Sequence, residues 1–402
     1  MTTPDLDLLY ARYAPLLDEI ARTAEQRERD HVLPYDINRR LGELGFGAVR
    51  LPVALGGAGL DIPDFVDLAV ELGAADANVA QSWRTHILSV ERYLKQQPGP
   101  DRDFWLAEIA SGKVIGGAWT DVGTAPIGVF TTTVTRKDGR LVLNGKKFYS
   151  TGNLFADWLQ IGAVTDDGSP VIAIVRSGSP GIEELDDWDG FGQQLTASGT
   201  TILTDVPVEE ENVVRFEGAY DGSRGWQQLV LLGAFVGIGV ALEREAVRLL
   251  QAHPETTADD EPLYGEIVGK ISAQVFGARA ALRVAAEKTQ VAHDAIVSDH
   301  PERPVLVEES ELAIFKTQVV AIDAVLSATN LAFQLTGHRS GPGASRPGAD
   351  ASWRTLERLW RNARTIACHN PELFKQRMIA DTLAFGIDAG TARDARDRTT
   401  VR

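Results

Sequence analysis

The chain has 402 residues, 44% of them apolar and 24% charged, which is typical of a globular protein and excludes a disordered or fibrous one. Its 56 acidic residues outnumber 40 Lys and Arg, and the net charge of -16 disfavours binding to nucleic acid or to an anionic membrane. Cys368 is the only cysteine, which excludes an internal disulfide and disfavours a cysteine zinc site. The histidines show no ligand spacing, so we expect no metal. No uninterrupted apolar run reaches the ~18 residues of a membrane span and the acidic N-terminus is unlike a targeting peptide, so we expect a cytoplasmic protein.

Residues 1–112 are predicted to form an N-terminal helical domain. Apolar residues from Leu8 to Ala24 recur at helical spacing, and a second helix begins at Pro34 and ends at Gly45. The segment LPVALGGAGLDIP contains three glycines and two prolines, which interrupt the helical pattern. Further helices are predicted at about 62–74, 77–95 and 101–111.

Residues 113–222 change to a strand pattern. FTTTVTR, LVLNGKKFY, WLQIGAV and PVIAIVR are short runs rich in β-branched residues, separated by turn signals. KDGR, between the first two runs, is a strong hairpin signal. We therefore predict a small antiparallel β-domain, a sandwich or barrel. The phosphate-binding loops of nucleotide enzymes do not occur.

Residues 223–402 return to helix. Apolar residues from Leu312 to Phe333 keep helical spacing over some six turns, and runs at about 225–252 and 262–298 behave alike. A glycine-rich loop follows Gly337. The pattern indicates a C-terminal four-helix bundle that packs against other subunits, and a homotetramer. The predicted fold class is α+β.

Three segments resemble the acyl-CoA dehydrogenase superfamily. They are GELGFGAVRLPVALGGAGLDIPDFVDLAVELGAAD at 42–76, LVLNGKKFYSTGNLFADWLQIGAV at 141–164, and TTILTDVPVEEENVV at 200–214. The resemblance covers about residues 5–385 and implies that family's order of helical domain, β-domain and bundle.

The departures from the family pattern concern its chemistry. The family's dehydrogenases need a carboxylate base, yet RNARTIACHNPELFK, in the corresponding stretch, has none before Glu372. This stretch is similar to the flavin-dependent monooxygenase branch, the group that includes dibenzothiophene monooxygenase, as are DWDGFGQQLTASGTT at 187–201, GHRSG at 337–341 and WRTHILSV at 83–90. The resemblance implies a two-component enzyme. A separate flavin reductase supplies reduced FMN, which reacts with O2 to a C4a-(hydro)peroxyflavin that oxygenates a small organic substrate.

The resemblance places two histidines at the active site. His369 would lie beside the flavin and exchange a proton with the distal peroxide oxygen, a task suited to a side chain that titrates near neutral pH. The alternative is a histidine that caps the next helix. His86 would face the substrate cavity, and its alternative is a core histidine.

The resemblance also implies a set of flavin contacts. Thr151 would be catalytic by stabilising the flavin N5 proton, and the alternative for its turn is ordinary turn chemistry. Arg339 would bind the flavin phosphate across a subunit boundary, against the alternative of a solvated loop arginine. FMN is favoured over FAD because the segment on the adenine side is shortened. The predicted cofactor-binding residues are Trp119, Thr120, Tyr149, Ser150, Thr151, Arg339 and His369.

Two other functions remain open from the sequence. One is a flavin-dependent acyl-CoA dehydrogenase or oxidase, whose base would be an acid such as Glu243 or Glu245. The other is a non-catalytic helical assembly protein that has lost its flavin.

Overall fold

The computed structural model describes residues 6–122, 130–216, 222–252, 263–340, 352–369 and 371–386. Within them the chain runs through helices, then a sheet, then helices again, in the predicted order. The sheet lies between the two helical parts in sequence. The fold class predicted from the sequence is confirmed in this order of parts.

Six α-helices precede the sheet in the described part of the chain. Asp61 caps the N-terminus of the third, Ile62–Ala75, by accepting a hydrogen bond from the Asp64 N–H. Asp76 caps the fourth, Ala77–Ser82, in the same way through the Asn78 N–H. The helix predicted at 77–95 is divided in two at Trp83. The helices are α1 (Leu6–Arg29), α2 (Tyr35–Glu43), α3 (Ile62–Ala75), α4 (Ala77–Ser82), α5 (Arg84–Lys95) and α6 (Pro100–Ala110).

Nine strands form one sheet among the described residues. KDGR is the predicted hairpin: Lys137 pairs with Arg140, and Asp138 and Gly139 have φ of 49° and 79°, as a tight mirror-image turn requires. The strands are β1 (Ile115–Ala118), β2 (Thr120–Asp121), β3 (Thr133–Lys137), β4 (Arg140–Phe148), β5 (Trp158–Thr165), β6 (Pro170–Arg176), β7 (Ile182–Glu184), β8 (Thr201–Val208) and β9 (Val213–Arg215).

The sheet is mixed, so the prediction of an antiparallel β-domain was wrong in this respect. The order is β7-β8-β4-β3-β5-β6-β9, with β1 beside β5 and β2 beside β4. β5 runs parallel to both β1 and β3. Because β3 and β4 form a hairpin and the chain reverses again after β4, β5 regains the direction of β3. Alternation of apolar residues along a strand identifies its buried face but does not specify the direction of its neighbour.

Five α-helices follow the sheet among the described residues. The first of them, α7 (Ser223–Ala252), packs on α3, and a Cβ on Gly73 would lie 2.8 Å from the Ala234 backbone, so this contact needs glycine. The close approach fixes the N-terminal helices on the bundle. The helices are α7 (Ser223–Ala252), α8 (Leu263–Val297), α9 (Arg303–Ala332), α10 (Ser352–His369) and α11 (Glu372–Phe385), with a 3-10 helix at Phe333–Ser340.

Two of these helical segments are apolar and long enough to cross a membrane by length and composition alone. In Ser223–Ala252, 89% of the apolar window is buried inside the protein, as expected for the central helix of a bundle. In Arg303–Thr336 only 50% is buried. The second segment therefore leaves an apolar face uncovered in the single chain.

Candidate active site

The turn after β4 is held in an unusual backbone conformation. Tyr149 has a φ of 57° and Gly152 a φ of 79°. A Cβ on Gly152 would lie 2.2 Å from the Ser82 carbonyl oxygen, so this turn packs directly on the end of α4. Only glycine allows both the conformation and the contact.

A chain of hydroxyl groups joins this turn to the segment before β8. The Thr151 and Ser198 hydroxyls are 2.7 Å apart, and the Ser198 and Thr196 hydroxyls are also 2.7 Å apart. Ser150 is buried and accepts a hydrogen bond of 2.9 Å from the Thr201 hydroxyl. The sequence predicted the hydroxyls of the turn. The structure adds the hydroxyls of Thr196, Ser198 and Thr201, which face them.

The loop at 187–200 is anchored to helices on both sides. The Gln193 N–H donates to Asn362 Oδ1 of α10 at 2.6 Å, and the Leu195 N–H donates to Asn78 Oδ1 of α4 at 3.1 Å. Asn78 and Asn362 both donate through their side-chain amides to Glu28 Oε2, at 3.1 and 3.2 Å. One buried carboxylate of α1 thus orients the two amides that hold the loop.

The last residue of α10 lies against the first residue of α5. His369 Nε2 and Arg84 Nη1 are 3.3 Å apart. The His369 side chain is exposed to solvent on one side and contacts Arg84 on the other. The structure therefore brings the predicted histidine beside an arginine on another domain.

Both members of this pair have lowered pKa values. Burial, and secondly the positive charge of Arg84, lower the pKa of His369 to about 4. Burial lowers the pKa of Arg84 to about 10. Among the described residues no carboxylate raises the pKa of Arg84. At neutral pH the site therefore contains a neutral imidazole and a cationic guanidinium.

Trp119 lies between β1 and β2, and Thr120 is the first residue of β2. Thr120 of β2 pairs with Phe148, the last residue of β4. The half-buried Trp119 packs on Phe130 and Phe216 with centroid separations of 6.4 and 5.9 Å. Thr120 therefore adjoins the turn at 149–152, and the flavin contacts of both residues stay predictions.

His86 is held by the backbone on both sides of its ring. Nδ1 accepts from the Ile115 N–H and Nε2 donates to the Gly47 carbonyl, both at 3.0 Å. The side chain is 1% exposed, and burial lowers its pKa to about 4. With both nitrogens occupied, His86 has no free group for a substrate. The geometry favours the alternative of a core histidine that joins α5, β1 and the segment at Gly47.

Arg339 and the acids of α7 complete the predicted residues. The Arg339 backbone is in the 3-10 helix, and its side chain lies outside the described part of the structure. Glu245 forms two hydrogen bonds with Arg248, at 2.6 and 2.8 Å, so it is engaged in an ion pair. Glu243 is half-buried.

Several residues of the site were not identified from the sequence. Arg84, Ser198 and Gln193 all lie within segments that carried the family resemblance. The sequence signal that could have identified these three residues is that each is a polar residue inside such a segment. Asn362 also lies in such a segment, RNARTIACHNPELFK, whereas Glu28 gave no signal, because its partners Asn78 and Asn362 are 50 or more residues away in the chain.

Several polar atoms near this site have no protein partner among the described residues and could pair with a polar ligand such as flavin. Gln193 is 4% exposed, and neither atom of its amide has a hydrogen-bond partner among the described residues. The same holds for Arg84 Nε and for Thr365 Oγ1, one turn before His369 on α10. The flavin ring edge has both donors and acceptors. Buried groups without partners are costly, so a ligand that pairs with them is favoured.

Comparison with known proteins shows which domain family and which fold the chain resembles. Residues 14–113 match the acyl-CoA dehydrogenase N-terminal domain. FMN-bound TdsC, a dibenzothiophene monooxygenase from Paenibacillus sp. A11-2, has the same fold, with a TM-score of 0.82 at 22% identity over 94% of this chain and 98% of that one. The chain therefore has the fold of TdsC, and its N-terminal part is similar to the acyl-CoA dehydrogenase N-terminal domain.

Three curated relatives are similar to this chain over most of its length. A dibenzothiophene monooxygenase of Rhodococcus erythropolis is 26% identical over 82% of this chain and 81% of its own length. A probable FMNH2-dependent monooxygenase of Pseudomonas putida is 27% identical, covering 92% of both chains. A putative acyl-CoA dehydrogenase of Bacillus subtilis is 25% identical over 89% of this chain and 91% of its own. The predicted similarity to dibenzothiophene monooxygenase is confirmed.

Proposed function

We propose that this protein is a two-component flavin-dependent monooxygenase that takes reduced FMN from a separate flavin reductase. One observation carries the choice over dehydrogenation: the predicted histidine lies beside a cation, with His369 Nε2 3.3 Å from Arg84 Nη1, and among the described residues no carboxylate raises the pKa of Arg84. A dehydrogenase needs such a carboxylate to remove the α-proton. The monooxygenase relatives support the same choice.

The turn at 149–152 and β2 would hold the flavin ring. Reduced FMN, when bound, supplies the electrons that activate O2. The Thr151 hydroxyl, fixed by Ser198 at 2.7 Å, would present a hydrogen bond to the ring edge. We propose further that Arg339 binds the flavin phosphate.

His369 would hold a proton at the oxygen-transfer site. Its imidazole is neutral at working pH because of burial and of Arg84, so it can both donate and accept. The cleft limits the water around the reacting groups, which favours transfer to the substrate over loss of the oxygen as hydrogen peroxide.

A homotetramer in the cytoplasm is part of this proposal. An apolar groove of about 510 Å³ lies between α8 and α9, lined by residues such as Val284, Leu312 and Val320. Phe276, also on α8, is 74% exposed. A second copy covering this face would bury apolar area that the single chain leaves in water.

The test is transfer of labelled oxygen. The protein, photochemically reduced FMN and 18O2 are mixed with sulfur- and nitrogen-containing aromatic compounds, and products are analysed by mass spectrometry. We expect one labelled oxygen atom per product molecule. His369→Ala should lower product formed per O2 consumed by about 100-fold, the usual contribution of a general acid or base.

His300→Ala is the matched control, because His300 is exposed at the α8–α9 connection. It should leave the yield unchanged. Isolation of the protein with tightly bound yellow FAD that an acyl-CoA bleaches without O2 would replace this function with dehydrogenation. Equal yields from both histidine variants would remove His369 from the mechanism.

A further inference from the structure

Arg84 is a half-buried cation without an acidic partner among the described residues. No described carboxylate lies within ion-pair distance of its guanidinium, and its Nε has no hydrogen-bond partner among the described residues. Other inward-facing arginines differ: Arg27 pairs with Asp76 at 2.6 Å and Arg361 with Glu28 at 2.8 Å. A charge removed from water is stable only when an opposite charge or strong hydrogen bonds replace the water. Arg84 therefore has capacity for an anion.

The start of α5 is in contact with both segments proposed to hold the flavin. Ser82, two residues earlier, touches the turn at Gly152. A Cβ on Gly117 would lie 2.8 Å from Thr85 Cγ2 and 3.0 Å from Trp119 Nε1, so the next residue adjoins the other segment. Arg84 stands between these contacts and reaches His369. Its side chain is half-buried, with Nε fully covered by protein.

One edge of the Arg84 guanidinium has no hydrogen-bond partner among the described residues. His369 is next to Nη1, whereas Nε and Nη2 form the edge that binds two oxygen atoms of one group side by side. A neutral imidazole on the other side does not compete for that anion.

We propose that Arg84 binds a negatively charged group of the substrate, so that the enzyme oxygenates small organic acids such as aromatic carboxylates or sulfinates. The oxygenation reaction in this inference rests on the proposed function, whereas the binding of an anion by Arg84 does not. Either acid class presents two equivalent oxygens to the free guanidinium edge. The flavin carries negative charge too, and the experiment separates these two sources of an anion.

Binding is measured by titration calorimetry on the full-length protein without turnover. The probes are benzoate and benzenesulfinate, with neutral benzamide for comparison, because aromatic side chains adjoin the turn at 149–152. We expect both acids to bind at least tenfold more tightly than benzamide. Arg84→Gln should abolish this preference and Arg84→Lys should keep part of it. Arg136→Gln, at an exposed ion pair with Glu210, is the control and should not change it.

FMN is titrated into the same variants. We expect its affinity in Arg84→Gln to stay within twofold of the original. A loss of FMN affinity with unchanged acid binding would overturn the proposal and make Arg84 a flavin residue. Equal binding of benzoate and benzamide to the unaltered protein would also overturn it.

The outcomes of this test and of the oxygen-transfer test are independent. Acid binding that depends on Arg84, without labelled product from those acids, would refute the monooxygenase reaction and leave the binding site in place. Labelled product from neutral compounds, with no preference for acids, would support the reaction and refute the role of Arg84. The Lys variant keeps the positive charge, so a general loss of folding in the Gln variant does not imitate the expected pattern.

Discussion

The hydroxyl oxygens of Thr151 and Ser198 are 2.7 Å apart, although 47 residues separate them in the chain. This contact joins the turn after β4 to the loop before β8. The loop is in turn held by Asn362 of α10, the helix that ends at His369. The proposed flavin contacts and the proposed proton-holding residue are therefore connected through one continuous set of hydrogen bonds.

Loss of the Thr151 hydroxyl should weaken FMN binding. Thr151→Val keeps the side-chain shape and removes one hydrogen bond to Ser198 and one proposed bond to flavin, which together contribute about 1–3 kcal/mol. We expect the Kd for FMN, measured by quenching of flavin fluorescence, to rise by about tenfold or more. Thr204→Val, on an exposed position of β8, is the control. An unchanged Kd in Thr151→Val would place the flavin elsewhere.

The turn itself should depend on Gly152. Gly152→Ala would place a Cβ 2.2 Å from the Ser82 carbonyl oxygen at a φ of 79°, which displaces the turn from α4. We expect FMN binding to be lost and the thermal unfolding midpoint to fall. Gly178→Ala, at a φ of 74° with open space around it, has the same backbone cost without the clash. Equal effects of the two substitutions on FMN binding would show that the contact with Ser82 is unimportant.

Stability should decrease as the pH falls, in part because of His86. Burial lowers its pKa from 6.5 to about 4, so between these values the unfolded chain binds a proton that the folded chain does not. The free energy of unfolding therefore falls through this range, by about 3 kcal/mol when complete. His86→Gln removes the titrating group. Its stability, measured by denaturant unfolding at pH 7 and pH 4.5, should fall less over this interval; parallel slopes would contradict the pKa.

The carboxylate of Glu28 should contribute strongly to stability. It accepts hydrogen bonds from Asn78 and Asn362 and pairs with Arg361 at 2.8 Å, while 6% exposed. Glu28→Gln removes the charge and turns an amide N–H₂ toward these donors. We expect a loss of about 3 kcal/mol or more in denaturant unfolding. Glu43→Gln, at an exposed ion pair, should change stability by less than about 0.5 kcal/mol. Similar values for both would mean that Glu28 is hydrated.

The sequence identified much of the fold because its signals are local. Helical spacing located α1, α7, α8 and α9, and KDGR identified the β3–β4 hairpin. These features depend on residues within one or two turns of each other. The direction of β5 beside β1 and β3 depends on strands far apart in the chain, and the sequence pattern did not contain it.

The sequence by itself determined the order of helical and strand-forming parts and the resemblance to flavin-dependent monooxygenases, and it singled out His369 and the hydroxyls of the turn as candidates, since these lie in contiguous motifs. Only the tertiary structure decided their partners. It placed Arg84 beside His369, Ser198 beside Thr151, and the two nitrogens of His86 on backbone groups. A side chain's chemistry depends on which charges and hydrogen-bond partners surround it and on how much water they exclude. That environment is assembled from three parts of the chain, so it exists only after folding.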